Sequence, residues 1–167
     1  MGGPAGAARF HLRGRWMTKA EFLAKTCAAA RAAGHVWPEY AACEAALESA
    51  WGASKLAVEG NNFFGQKQAH PPVAGTETLE LDTREFLHGA WVTVTARWVK
   101  FADWHGSFAE RMRVLRGLSA AYPHYAAALA AKTGEEFVRE VSKSWSTDPG
   151  RAEKVLAIYR GNFTKAA

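Results

Sequence analysis

The chain is poor in the residues from which several kinds of site are built. Its 167 residues include two cysteines, Cys27 and Cys43, with no C-x-x-C pair and no Cys/His spacing suited to a metal. They read as small buried thiols, their spacing leaves a disulfide open, and neither a metal nor a cofactor is expected. A glycine-rich phosphate loop and an RNA-binding aromatic signature are also missing, so no nucleic-acid partner is expected. No stretch approaches the ~20 apolar residues of a membrane span, and membrane insertion is not expected. Residues 1–16, "MGGPAGAARFHLRGRW", lack the apolar run of a secretory signal. They read as a disordered leader or tag remnant, with Met17 as a natural start, 17–167 as one folded domain and the cytoplasm as the place of synthesis.

What is present is apolar, aromatic and mildly basic. With 49% hydrophobic residues, the chain can bury a substantial single core. Seven Trp, nine Phe and four Tyr exceed what a core of this size needs, so some are expected to line a groove in which flat rings stack on a ligand. Lys and Arg number 21 against 16 Asp and Glu, a net charge of +5. The excess is scattered; it favours a polyanionic partner such as nucleic acid or an anionic cell surface and identifies neither. A monomer is expected.

Periodicity divides the chain into helices, a β segment and helices again. Thr18 and Glu21 have the spacing of a capping box, opening a helix that runs to Gly34. A second helix opens at Pro38 and stops at Gly52. Residues 59–75 carry glycines, two asparagines and a Pro pair, which predicts a loop. Between Thr78 and Phe101 the side chains alternate around His88-Gly89, predicting a β-hairpin. Ser107 with Glu110, Pro123, Thr133 with Glu136, and Asp148 before Pro149 are read as four further helix starts, the last helix reaching about Tyr159. The class is α+β, mainly helical, with a small β-hairpin lobe.

Within this outline the stretch "AALESAWG", residues 45–52, is chemically suggestive. On a helix Glu44, Glu48 and Trp51 share one side. Two carboxylates one turn apart repel, and an apolar wall such as Trp51 would hold a proton on one of them, which is how a general acid is made. A pair of solvated helix glutamates fits the same spacing. In "GNNFFG", residues 60–65, Asn61 and Asn62 offer donors and acceptors and Phe63 or Phe64 a ring, as a sugar site requires. A turn in which the asparagines bond backbone fits equally.

The resemblance that discriminates is longer than either motif. "AALESAWGASKLAVEGNNFFGQK", residues 45–67, is similar to the signature of the glucosaminidase family of peptidoglycan hydrolases, glycoside hydrolase family 73. There A-A-L-E-S-G-W-G-x-S is followed by a spacer and N-N-L-F-G-I-K. "DTREFLHGAWVTVTARWVKFADW" resembles the family's β lobe, and "WSTDPGRAEK", residues 145–154, its Y-A-T-D-P-x-Y-A-x-K. The similarity covers nearly the whole chain from Met17, in family order.

This resemblance implies a lysozyme-like fold with the hairpin over a cleft. It further implies an endo-β-N-acetylglucosaminidase acting on peptidoglycan glycan strands, cutting the β-1,4 bond after N-acetylglucosamine. Glu48 would be the general acid and Glu85 the second carboxylate, with Glu80 its local rival. Glu44, Trp51, Asn62, Phe64 and Trp145 would line the substrate site. The setting implied is a phage or prophage endolysin, cytoplasmic until release and then acting on the cell wall. A muramidase or lytic transglycosylase of the same fold, or a non-catalytic wall-binding domain, are the alternatives. Three departures stand out: Glu44 where the family has Gln, Trp145 where it has Tyr, and Arg151 where it has a second Tyr. Ala50 also replaces a Gly.

Overall fold

The computed structural model describes residues 9–12, 15–69 and 74–164, with the backbone alone for 9–12, 15, 16 and 84–87. Strands β1 (Arg9–Leu12) and β2 (Arg15–Thr18) form a short antiparallel ladder. The sequence reading placed 9–16 in a disordered leader. Met17, opposite Phe10 in the ladder, is buried just before the first helix.

Helix α1 (Lys19–Ala32) starts as expected: the Thr18 hydroxyl accepts from the Glu21 amide, and the Glu21 carboxylate accepts from the Thr18 amide. Helix α2 (Pro38–Glu48) opens on proline and packs along α1. A short helix α3 (Lys55–Gly60), capped by Ser54, occupies a stretch to which no element was assigned, so the loop begins at Asn61. Its six residues are too few to display a helical period, and the cap is its main sequence signal.

Strands β3 (Thr78–Leu87) and β4 (Ala90–Val99) pair antiparallel from Thr78↔Val99 to Leu87↔Ala90, with His88 and Gly89 at positive φ in the turn. Helices α4 (Trp104–Leu118), α5 (Pro123–Ala130), α6 (Gly134–Trp145) and α7 (Arg151–Phe163) complete the chain. Thr133 caps α6 as expected. Asp103 rather than Ser107 caps α4; Ser107 is buried inside that helix, where its hydroxyl accepts from the Phe63 amide. The S-x-x-E spacing of a capping box also fits two residues within a helix, and the earlier Asp wins because its neighbours at 101–102 are non-helical. Similarly, Asp148 accepts from the Gly150 amide in the turn before α7 instead of opening the helix itself.

The core lies among the helices. Phe22 of α1, Phe63, Trp104 and Phe108 form an edge-to-face cluster at its centre. Tyr40 of α2 stacks on Tyr159 of α7 at 4.0 Å, and that seam fixes the two helices that carry the site. Gly134 lies so close beneath the Tyr40 ring that a methyl group there would collide with it, so α6 closes onto α2 only because this residue has no side chain.

The hairpin stands apart and is joined to the helical body at its root. Val99 N donates to Gln66 O, Lys100 N to Glu77 O and Phe101 N to Gly60 O. The two asparagines reinforce this joint. Asn61 donates its amide to Phe101 O, and Asn62 donates to both Gln66 O and Val99 O while accepting from Gln66 N.

Candidate functional site

Glu48 is the last residue of α2. The chain then turns sharply: Ala50, Trp51 and Gly52 all have positive φ, a left-handed run that costs roughly 1–2 kcal/mol at each non-glycine residue. Ser49 holds the turn together, its buried hydroxyl donating to Ala45 O and accepting from Gly52 N. The consequence is that α2 ends immediately behind Glu48, and the following chain is led away toward α3.

The turn also redirects Trp51. Its ring meets Phe22 edge-on at 6.0 Å, and Lys19 Nζ lies 4.6 Å from its centre, so it faces α1. The neighbour of Glu48 is instead a guanidinium. Arg151 Nε donates to Glu48 Oε1 at 2.7 Å, and the Glu48 side chain keeps 26% of its surface exposed.

Glu44, expected in the substrate site, is in the core with no exposed surface. Its Oε1 accepts from Arg111 Nη2 at 2.7 Å and from Arg151 Nη2 at 2.9 Å. Burial alone would push this carboxyl up, but the two guanidinia and their hydrogen bonds more than offset it and hold it below the usual carboxylate range. The two glutamates of α2 are therefore bridged by Arg151 rather than left to repel. Glu44, Glu48, Arg111 and Arg151 form a group of zero net charge, the only arrangement in which so many buried ions are tolerable.

Arg111, from α4, carries this group to the cleft. Its guanidinium lies flat against Trp145, 3.6 Å from the ring centre, and 4.9 Å from the centre of Phe64. Phe64 is buried and touches Trp145 edge-on. Phe64 thus supports Trp145 and leaves it, at the end of α6, as the ring that reaches the surface. Trp145 lines two hollows. One, of about 800 Å³, is walled by Ser142, Ser144, Ser146, Thr147 and Asp148; the other, of about 910 Å³, by Gln66, Lys67, Val99, Phe101 and Arg113.

The remaining expected residues fall elsewhere. Both N–H groups of the Asn62 amide and one lone pair of its Oδ1 are spent on backbone at the hairpin root, and the residue is buried, so the amide is part of the joint and is not presented to a sugar. Glu80 is exposed on β3 and paired with Arg97. Glu85 lies on β3 opposite Val92, and its side chain is outside the described residues. Arg111 was missed, since nothing local marks one arginine of an amphipathic helix as buried. Arg151 was noticed only as a departure. Its signal was the opposite departure at Glu44. Cys27 and Cys43 are free and buried, and burial pushes the Cys27 thiol up to about 11. Among the described residues no group of His, Cys, Asp and Glu is arranged to hold a metal, and no helix is long and apolar enough to cross a membrane.

Comparison with known proteins places this geometry. Residues 24–163 match the glucosaminidase family model, described as mannosyl-glycoprotein endo-beta-N-acetylglucosaminidase. The chain is 31% identical over 126 residues to the exo-glucosaminidase LytG of Bacillus subtilis (74% of this chain, 43% of that protein). It is 27% identical over 159 residues to an autolysin of Enterococcus faecalis (90% of this chain, 21% of that protein). It thus spans less than half the length of either relative. Among solved structures, the catalytic domain of the autolysin Auto from Listeria monocytogenes superposes with a TM-score of 0.76 at 23% identity, covering 86% of this chain and 84% of that one. A truncated glycoside hydrolase domain of FlgJ from Salmonella typhimurium gives 0.68 at 24% identity, covering 89% and 99%. The fold is accordingly the mainly helical, lysozyme-like one with a two-stranded lobe, and the chain belongs to the glucosaminidase family of glycoside hydrolases.

Proposed function

We propose that this chain is the catalytic domain of a peptidoglycan hydrolase that cleaves within glycan strands, at the β-1,4 bond following N-acetylglucosamine, with Glu48 as the general acid. The observation that carries the reading is the placement of Glu48. It is a part-exposed carboxylate on a rigid helix end, held through one oxygen by Arg151. Its partner Arg151 is also bonded to Ser142, a wall residue of the hollow beside Trp145. A carboxylic acid so placed can protonate a leaving glycosidic oxygen while an aromatic face holds the sugar.

Cleavage within the strand, rather than from its end, is supported by the endo-acting description of the matching family model. The net charge of +5 favours encounter with an anionic wall. The biological setting we propose is lysis of the endolysin type, and Glu85 is the proposed second carboxylate.

Two measurements test this. Glu48→Gln should lower the rate of wall clearance by about 10²–10⁴-fold with the fold retained; an unchanged rate removes Glu48 from the chemistry. Mass spectrometry of the digest should give oligosaccharides with N-acetylglucosamine at the reducing end. Release of the monosaccharide alone would make the enzyme exo-acting, and reducing-end or anhydro-muramic acid would make it a muramidase or transglycosylase.

A further inference from the structure

Arg151 is the point at which α7 meets the acid. Three of its nitrogens are engaged: Nε with Glu48 Oε1 at 2.7 Å, Nη2 with Glu44 Oε1 at 2.9 Å and Nη1 with Ser142 Oγ at 2.8 Å. The side chain is 1% exposed. A planar guanidinium with three anchors has no freedom to turn, so the position of its Nε–H is fixed by α2 and α6 together. Glu48 Oε2, in contrast, takes no hydrogen bond from any described residue. One oxygen of the carboxylate is therefore held and the other left available.

We propose that Arg151 is a positioning residue for Glu48. It selects the rotamer in which Oε2 is the oxygen that delivers the proton, and Glu44 is the counter-charge that allows Arg151 to be buried there. The inference rests on the reading of Glu48 as the general acid. In the step itself the Oε2–H proton passes to the glycosidic oxygen, which takes the electron pair of the breaking C1–O bond, while the oxocarbenium charge developing at C1 is captured by water or a second carboxylate. The negative charge left on Glu48 is met at once by an Nε–H already in place, with no reorganisation of the site.

The charged groups facing Glu48 are Glu44 from its own helix, Arg111 from α4 and Arg151 from α7.

The test uses the purified chain on peptidoglycan, with Arg151→Lys, Arg151→Tyr and Ser142→Ala. For Arg151→Lys we expect kcat to fall about 10- to 100-fold, as for a misplaced reacting group, with KM little changed. Arg151→Tyr should lose more, because it removes the anchored Nε–H altogether. An unchanged kcat in folded Arg151→Lys overturns the proposal. Should Arg151→Tyr not fold, Ser142→Ala decides in its place. It removes one anchor and no charge, and an unchanged kcat there overturns the positioning role. An inactive parent chain would instead sink the glucosaminidase reading, and a parent inactivated by Glu48→Gln but indifferent to all Arg151 variants sinks only this inference.

Discussion

Ion pairs occur in both lobes of the molecule, and they are of two different kinds. Behind Glu48, in the helical lobe, Glu44 and Arg111 meet with no solvent exposure at all, backed by Arg151. On the hairpin, Arg97 and Glu80 meet at a similar distance with more than half of each side chain in water, and Thr95 bonds Asp82 in the same exposed manner. Geometry alone does not separate them; surroundings do. In water a pair is screened and its partners are already solvated, so joining them gains little. In the core each ion depends on the others, and removing one strands the rest. The helical lobe is therefore a rigid mount for the acid. The hairpin is a surface lobe held by its own backbone ladder and its root.

The sharpest way to break this contrast is to delete one member of each pair. Arg111→Ala leaves Glu44 buried with a single partner and removes the plate behind Trp145. It should lower stability by about 3–5 kcal/mol, read from the urea midpoint, and should reduce activity through Trp145 as well. If the loss is below about 1 kcal/mol, the buried group is not the mount argued for here.

Acid provides a second, smaller probe of the same lobe. His35 is buried against α4 with its Nε2 bonded to Phe108 O, and burial, aided by Arg111, lowers its pKa to about 4. The native state therefore keeps it neutral while the unfolded chain binds a proton below about 6.5. Stability is full above that pH and is lost as pH falls toward 4, by on the order of 3 kcal/mol. Carboxylates held below their usual range, Glu44 among them, add their own loss only as pH nears the ordinary carboxylate value of 4.5 and below, so the part of the slope between about pH 6.5 and 5 belongs to His35. Unfolding midpoints at pH 7, 5 and 4 should show this slope, and His35→Leu should flatten it even though the variant is less stable at pH 7.

The smallest effect belongs to the hairpin. Arg97→Ala should cost less than about 1 kcal/mol, diminishing further in salt. A loss comparable to that of Arg111→Ala would erase the distinction between the two lobes.

How much of this was legible in the sequence follows the same division between local and distant physics. The Thr18 and Thr133 caps, the proline starts of α2 and α5, and the hairpin at His88-Gly89 are decided within a few residues, and each was readable. The family motif around Glu48 was readable too, although the helix it lies on ends at Glu48 and not at the expected Gly52. The pairing of Glu44 with Arg111 and Arg151 was not, because it joins side chains 67 and 107 residues apart, which periodicity does not register. Asn62 illustrates a different obstacle. An amide that could hydrogen-bond a sugar can equally hydrogen-bond backbone, and only the position of Val99 shows which partner is present.

That use of Asn61 and Asn62 has a mechanical consequence. Both amides clamp the loop at the end of α3 to the foot of β4, so the hairpin is a lever with its fulcrum at these two residues. Ten residues at roughly 3.3 Å each give an arm of about 30 Å, and a rotation of only about 5° at the foot would carry the tip through some ~3 Å. Glu85, seven residues out along the arm from Thr78, would move by about 2 Å. For the second carboxylate proposed above, that is most of the step of about 3 Å between the roughly 5 Å and roughly 8 Å separations of retaining and inverting cleavage, and two buried amides at the foot would set it.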